Sequence, residues 1–138
     1  VFNEGWGQYD VARLTDLTRQ LDPSRLVNST SGWTDRGLGD VLDVHHYPGP
    51  AGESDNPRRA MVLGEFGGVS MPVEGHLWAK DRNWGYATRT QKDELEKYYK
   101  SLFTNLAGLR AQGLSAAIYT QTTDVEIEVN GYLTYDRA

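Results

Sequence analysis

No cysteine occurs anywhere in the sequence, which excludes disulfides, thiolate metal ligands and a cysteine nucleophile. A reducing cytosol and a cysteine-poor exported protein fit that absence equally, so the compartment stays open. No apolar run approaches the roughly 20 residues that cross a bilayer, and no charged-then-apolar signal segment opens the chain. A membrane partner is not expected, and any secretion signal would lie upstream. An excess of positive charge is missing too: 14 Lys and Arg stand against 19 Asp and Glu, for a net charge of −5. The basic residues are scattered, which leaves no footprint for a phosphate backbone and argues against nucleic acid as a partner. Repeats and low-complexity tracts are absent as well.

The 138 residues are 38% hydrophobic and 24% charged, enough for one domain-sized core over residues 1–138. Residue 1 is Val rather than Met, and Val1-Phe2-Asn3 reads as the end of a strand. The expectation is therefore that something precedes it.

Apolar residues Val11, Leu14, Leu17 and Leu21 recur on one helical face over 8–21, with Asp10, Arg13, Asp16 and Arg19 turned to water. Pro23 ends that helix, and Leu26-Val27 opens a short extended run. Val41–His46 reads as a strand halted by Pro48-Gly49-Pro50, and residues 49–59 form a polar loop. Ala60–Gly64 is a short, continuously apolar run of the kind buried on both faces of a parallel sheet, delivering Glu65 at its end. The glycine- and aromatic-rich span 66–90 is too long for a simple connection. Leu95, Tyr98, Leu102, Leu106 and Leu109 predict a helix over 91–112, stopped by Gly113. Ser115–Tyr119 is another apolar strand, followed by an acid-rich loop, an Asn130-Gly131 turn and the extended stretch 132–135. The resulting order is strand, helix, strand, strand, strand, helix, strand, which predicts a parallel α/β fold. In such folds the C-terminal ends of strands build the site, and Asn3-Glu4, His45-His46, Glu65 and Gln121 fall there.

Glu4 and Glu65 each end an apolar strand and each precede glycine, so both carboxylates are expected at one rim. Glycosidic cleavage needs such a pair: one carboxyl group protonates the leaving oxygen and the second attacks the anomeric carbon or activates water. A lone glutamate after a strand is more often a helix-cap neighbour or an ion-pair partner. Adjacent strand residues point to opposite faces, so His45 and His46 are not both expected in the pocket unless the strand has already ended. Asp43, His45, His46, Glu65 and His76 are all metal-ligand types. The His-x-His opening typical of metal-dependent barrel hydrolases is missing, and neither metal nor cofactor is expected. Trp6, Trp33, Trp78 and Trp84 fall in rim loops, where aromatic faces stack on sugar rings or simply pack; Trp33 and Trp78 are the chosen candidates. The acidic loop with Asp124, Glu126 and Glu128 is given no catalytic role.

Phe2-Asn3-Glu4-Gly5-Trp6-Gly7-Gln8 and Gly64-Glu65-Phe66-Gly67-Gly68 together resemble the two catalytic segments of glycoside hydrolase family 2. Asp22-Pro23-Ser24-Arg25, Ser31-Gly32-Trp33, Gly39-Asp40-Val41, His45-His46-Tyr47-Pro48 and Tyr119-Thr120-Gln121-Thr122-Thr123-Asp124-Val125-Glu126 extend the likeness along nearly the whole chain. They look like a subgroup known as sugar-binding-domain hydrolases. The resemblance implies the C-terminal part, about strands 4–8, of a (β/α)8 barrel, with Glu4 as acid/base and Glu65 as nucleophile of a retaining β-glycosidase. β-Galactosidase, β-glucuronidase and β-mannosidase types all fit it. It further implies that Asn3 bonds the substrate 2-hydroxyl and that one of His45, His46 and Tyr47 orients the nucleophile; Trp33 and Trp78, from their rim loops, and Gln121, from its strand end, are the further expected carbohydrate contacts. The chain departs from the family at its last strand, where Tyr119-Thr120-Gln121 stands where many members place a tryptophan.

A whole barrel takes about 250 residues, so the missing strand–helix units and the family's β-sandwich domains are expected partners from the parent chain. A second copy covering the open edges is the other expected association. Hydrolysis is expected of the full-length protein and not of this segment alone. The rival expectations are a carbohydrate-binding barrel fragment without catalysis and a metal-dependent barrel hydrolase.

Overall fold

A computed structural model describes residues 1–52 and 58–138. In chain order it contains α1 (Val11–Leu21), β1 (Val41–His46), β2 (Ala60–Gly67), β3 (Val69–Ser70), β4 (Ala87–Thr88), α2 (Lys92–Ala111) and β5 (Ala116–Thr120). β1, β2 and β5 form a parallel sheet in the order β1-β2-β5, and β3 and β4 pair as a second, parallel two-stranded sheet. The fold is mixed α/β with parallel strands and two helices. The centre of the polar loop expected over 49–59 lies outside the described residues.

The continuously apolar run in β2 explains its central place. Leu63 and Phe66 are buried with Val69 and with Leu102 of α2, and Leu95, Tyr98, Tyr99, Leu106, Leu114 and Tyr119 pack around them. Parallel strands need a crossover, and α2 supplies it between β2 and β5, pressing its leucine and tyrosine face onto the sheet. Asp93 and Glu94 in its first turn and Arg110 in its last match the helix dipole. Gly113, at φ 106°, turns the chain into β5 in a conformation that costs only glycine little.

Other elements differ from the sequence reading. Residues 1–3 form no strand: Phe2 makes a single parallel bridge to Thr30, and the run begun at Leu26-Val27 is an extended segment carrying that bridge. The stretch 132–135 contributes only the bridge Thr123–Leu133. The span 66–90 contains β3 and β4, each two residues long. α1 begins at Val11 rather than at 8, and Leu17 and Leu21 of its apolar stripe are exposed.

One irregularity positions the site. Val44 pairs with Leu63 but His45 pairs with Glu65, so β2 carries one extra residue, Gly64, against β1. The same extra residue recurs against β5, between Leu63 and Phe66. Strict alternation would put Glu65 on the face of Leu63. The bulge breaks that period, which is why Leu63 and Phe66, three apart, share the core while Glu65 turns to His45. A side chain at the bulge would collide, since a Cβ on Gly64 would stand 2.0 Å from Asp43 Oδ1. Gly64→Ala is expected to destabilise the protein by about 1–3 kcal/mol through overpacking, measured as a lowered urea midpoint. Because Asp43 is the clashing partner, the Gly64→Ala loss should shrink in an Asp43→Ala background; additive losses would refute the contact.

Candidate active site

Glu4 is placed by main-chain hydrogen bonds to the extended segment 27–31. Phe2 N–H donates to Ser29 O at 3.1 Å, Ser31 N–H to Phe2 O at 2.9 Å and Glu4 N–H to Ser31 O at 2.9 Å. Glu4 itself adopts φ 50°, the left-handed region that a side chain seldom occupies without support from its surroundings. Gly32 makes room for it: a Cβ there would lie 3.0 Å from Glu4 Cα and Cγ and 3.2 Å from His45 Nδ1. Glu65 comes from the bulged stretch of β2, two residues before its end rather than at it.

The two carboxylates meet across one imidazole. His45 Nδ1 lies 3.0 Å from Glu4 Oε1 and 3.3 Å from Glu65 Oε2, with its side chain 2% exposed. One oxygen of each glutamate and that nitrogen all lie within 4.8 Å of one another. A single N–H on Nδ1 faces two acceptors and can serve one fully at a time. Tyr47 Oη donates to Glu65 Oε2 at 2.5 Å and lies 2.7 Å from Thr120 Oγ1 at the end of β5. Burial first, then the bond to Glu65, pushes the Tyr47 phenol far above its usual range, so it remains a protonated donor.

Behind the imidazole sits Asp43, buried on β1 two residues before His45. Its Oδ1 is 3.8 Å from His45 Nε2, too far for a hydrogen bond, and its Oδ2 accepts from Asn28 Nδ2 at 2.5 Å. Burial raises the Asp43 carboxyl above its ordinary value of 3.8, and the Asn28 hydrogen bond opposes that rise.

An aromatic and amide wall adjoins the pair. Tyr86 stacks on Tyr47 with ring centroids 3.8 Å apart and 7° between planes, and Trp84 meets Tyr86 edge-on at 5.5 Å. The Tyr86 phenol is raised by burial and then by the carboxylates of Glu128, Glu4 and Glu65. Gln121 Nε2 donates to Asn130 Oδ1 at 2.9 Å, and Asn130 Nδ2 donates to Glu128 Oε1 at 3.0 Å. The Tyr47–Pro48 and Thr120–Gln121 peptide bonds are both cis.

Of the residues singled out from sequence, Glu4, Glu65, His45 and Tyr47 come together. His46 does not: it is exposed, with Nδ1 donating to Gly49 O at 2.6 Å. Asn3 adjoins Glu4, but its Oδ1 accepts from Ser31 Oγ at 2.8 Å and the residue is exposed. Trp33 is exposed beside Gly32, and Trp78 packs edge-on against Tyr135 at 5.0 Å. Gln121 joins the wall through Asn130. Sequence reasoning gave no role to Asn28, Thr120, Tyr86 or Asn130; only the position of Asp43, one strand period from His45, carried a readable signal.

Among the described residues, the donor set able to hold a cation is Glu4, His45 and Glu65. The wider set of ligand types in the sequence does not assemble, since His76 pairs with Asp136 at 2.8 Å and His46 with Gly49. A scan against protein-family models returns no match, and no curated protein is significantly similar to the chain.

The Asp43–Asn28 pair gives a signed pH dependence. With a folded pKa raised above 3.8, the ionised Asp43 costs stability. That cost is absent below the unfolded value and complete once pH has risen through the folded one. Asn28→Ala removes the opposing hydrogen bond and is expected to lower stability by about 1–3 kcal/mol near pH 7 and by less near pH 3.5. Urea midpoints across that range should show a gap to wild type that widens with pH; a constant gap would assign Asn28 to packing alone.

Proposed function

We propose that the chain is the catalytic part of a retaining β-glycosidase, with Glu65 as nucleophile and Glu4 as acid/base. In this reading it forms the C-terminal portion, about strands 4–8, of a (β/α)8 barrel resembling glycoside hydrolase family 2. The observation that carries it is the approach of the two glutamates, an oxygen of each within 4.8 Å on either side of His45. That approach suits the about 5–5.5 Å of retaining enzymes better than the about 6.5–9.5 Å at which an inverting pair holds its water.

Tyr47 Oη donates to Glu65 Oε2 and His45 Nδ1 stands 3.3 Å from that same oxygen, which leaves Oε1 for the anomeric carbon. As the Glu65 oxygen bonds to that carbon, the glycosidic C–O bond breaks and Glu4 gives its proton to the departing oxygen. Glu65 is then an ester and Glu4 a carboxylate, so the negative charge has crossed from one side of His45 to the other. The imidazole N–H faces both oxygens and serves whichever is charged. In the second half, Glu4 takes a proton from water as the water oxygen bonds to the anomeric carbon and releases Glu65. The positions of His45, Glu65 and Thr120 toward the C-terminal ends of three parallel strands support the barrel assignment. So does the β5 edge, where Ala116 and Ala117 are exposed and line a hollow with Phe103, Leu106 and Ala107 of α2. The missing barrel units and β-sandwich domains, or a second copy, would cover that face.

A metal-dependent hydrolase is the second reading, favoured by the same three donors, and a carbohydrate-binding module without turnover is the third. Hydrolysis of aryl β-glycosides by the full-length protein separates them. Glu65→Gly is expected to lose activity by several orders of magnitude and, with azide, to form a glycosyl azide of inverted configuration. Glu4→Ala with azide should retain configuration. Loss of wild-type activity to a chelator would select the metal reading, and inertness on every sugar the binding module. Tyr47→Phe removes one hydrogen bond to a charged group and should lower kcat by about 10–150-fold, with no change in the labelled residue when a fluorosugar traps the intermediate.

A further inference from the structure

Glu128 belongs to a loop whose charges need no explanation beyond solvation, yet its setting is that of a pocket wall. It is half-buried, and its Oε1 accepts from Asn130, whose side chain is fully buried and is held in turn by Gln121. Gln121 directly follows Thr120, the residue whose Oγ1 meets Tyr47 Oη over the nucleophile. On the other side, main-chain bonds tie the Glu128 loop to Trp84: Trp84 N–H donates to Ile127 O at 3.0 Å and Val129 N–H to Trp84 O at 2.9 Å. Trp84 and Tyr86 are both half-exposed and continue the aromatic stack from Tyr47. The Glu128 loop is thus joined to the Glu65 side of the site twice, through Trp84, Tyr86 and Tyr47 and through Asn130, Gln121 and Thr120.

We propose that Glu128, aimed by the Gln121–Asn130 amide chain and flanked by Trp84 and Tyr86, is a hydroxyl-accepting wall that selects a neutral hexopyranoside as glycone over a uronide. The proposal rests on the glycosidase reading and sharpens it. Aromatic faces take the C–H side of a sugar ring, and a fixed carboxylate oxygen accepts sugar O–H groups in strong, charge-assisted bonds. A uronate would bring a further negative charge beside Glu128, Glu4 and Glu65, with Asp43 behind His45. Among the described residues the side chains seen to pair with these carboxylates are His45, Tyr47, Asn28 and Asn130, none of them an arginine or lysine. Like charges at such range in a partly buried site repel strongly.

The test is binding of non-hydrolysable methyl thio-β-galactoside, -glucoside, -mannoside and -glucuronide to the full-length protein, by titration calorimetry. At least one neutral thioglycoside should bind wild type. Glu128→Gln keeps an acceptor for Asn130, and should weaken that binding at least about tenfold. The thioglucuronide should bind wild type far more weakly than the best neutral sugar, and Glu128→Gln should narrow that gap. Equal binding of the glucuronide, unchanged neutral affinity in Glu128→Gln, or no binding of any thioglycoside overturns the proposal. Fluorosugar labelling, followed separately, keeps the two readings apart. Glu65 labelled with Glu128→Gln unaffected removes the wall and keeps the nucleophile, whereas Glu128-dependent binding without labelling removes catalysis and keeps the wall.

Discussion

The close approach of Gly64 to Asp43 is the constraint on which the rest of the site depends. It exists because β2 carries one residue more than either neighbour. That extra residue lets Leu63 and Phe66 both reach the core beneath α2 while Glu65 leaves it. A regular strand would satisfy the core and bury the carboxylate with it, at a cost no partner there could offset. The same crowding fixes Asp43 behind His45, and His45 in turn stands between the two glutamates. Packing and chemistry are thus consequences of one displaced register.

Charge explains why the centre holds together. Three carboxylates surround one imidazole, an arrangement that would disperse if its members were free to turn. They are not free: Tyr47 grips Glu65, Asn28 grips Asp43, and the Ser31 and Gly32 main chain fixes the turn that carries Glu4. Those neighbours come from two stretches, 28–32 and the end of β1, far in sequence from Glu4 and Glu65, so the site is assembled by long-range contacts and has no local sequence signature of its own.

That also sets what was legible in the sequence. The leucine and tyrosine period of α2 and the apolar runs of β1, β2 and β5 are visible because each buries one continuous face. Val1–Asn3 and 132–135 look extended but find only single bridges, since nothing in their side chains says whether a neighbour will pair for a full length. β3 and β4 are too short to show alternation. Gly64 reads as part of an apolar run, and its role as an inserted residue appears only against both neighbours' registers. Alternation separates His45 from His46 without saying which of them faces the glutamates, and it is His45 that does. The tryptophans were ranked by loop position alone, and position does not reveal that Trp78 is occupied by Tyr135 while Trp84 adjoins the Tyr47–Tyr86 stack.

The two glutamates differ in how they are mounted. Glu65 is built into the middle strand of the sheet, clamped by a phenol and backed by the core. Glu4 rides on a turn outside the sheet, stitched by a few main-chain bonds to the segment 27–31. In the proposed reaction the strand mounting carries the carboxylate that must form and release a carbon–oxygen bond along one line, and the turn mounting carries the one that addresses two oxygens in turn. Asn28 and Gly32 aside, since they also hold Asp43 and face His45, substitutions along 27–34 can therefore retune proton delivery while the frame that aligns the bond-forming atom stays as it is, which makes that segment the natural place for such a site to diversify.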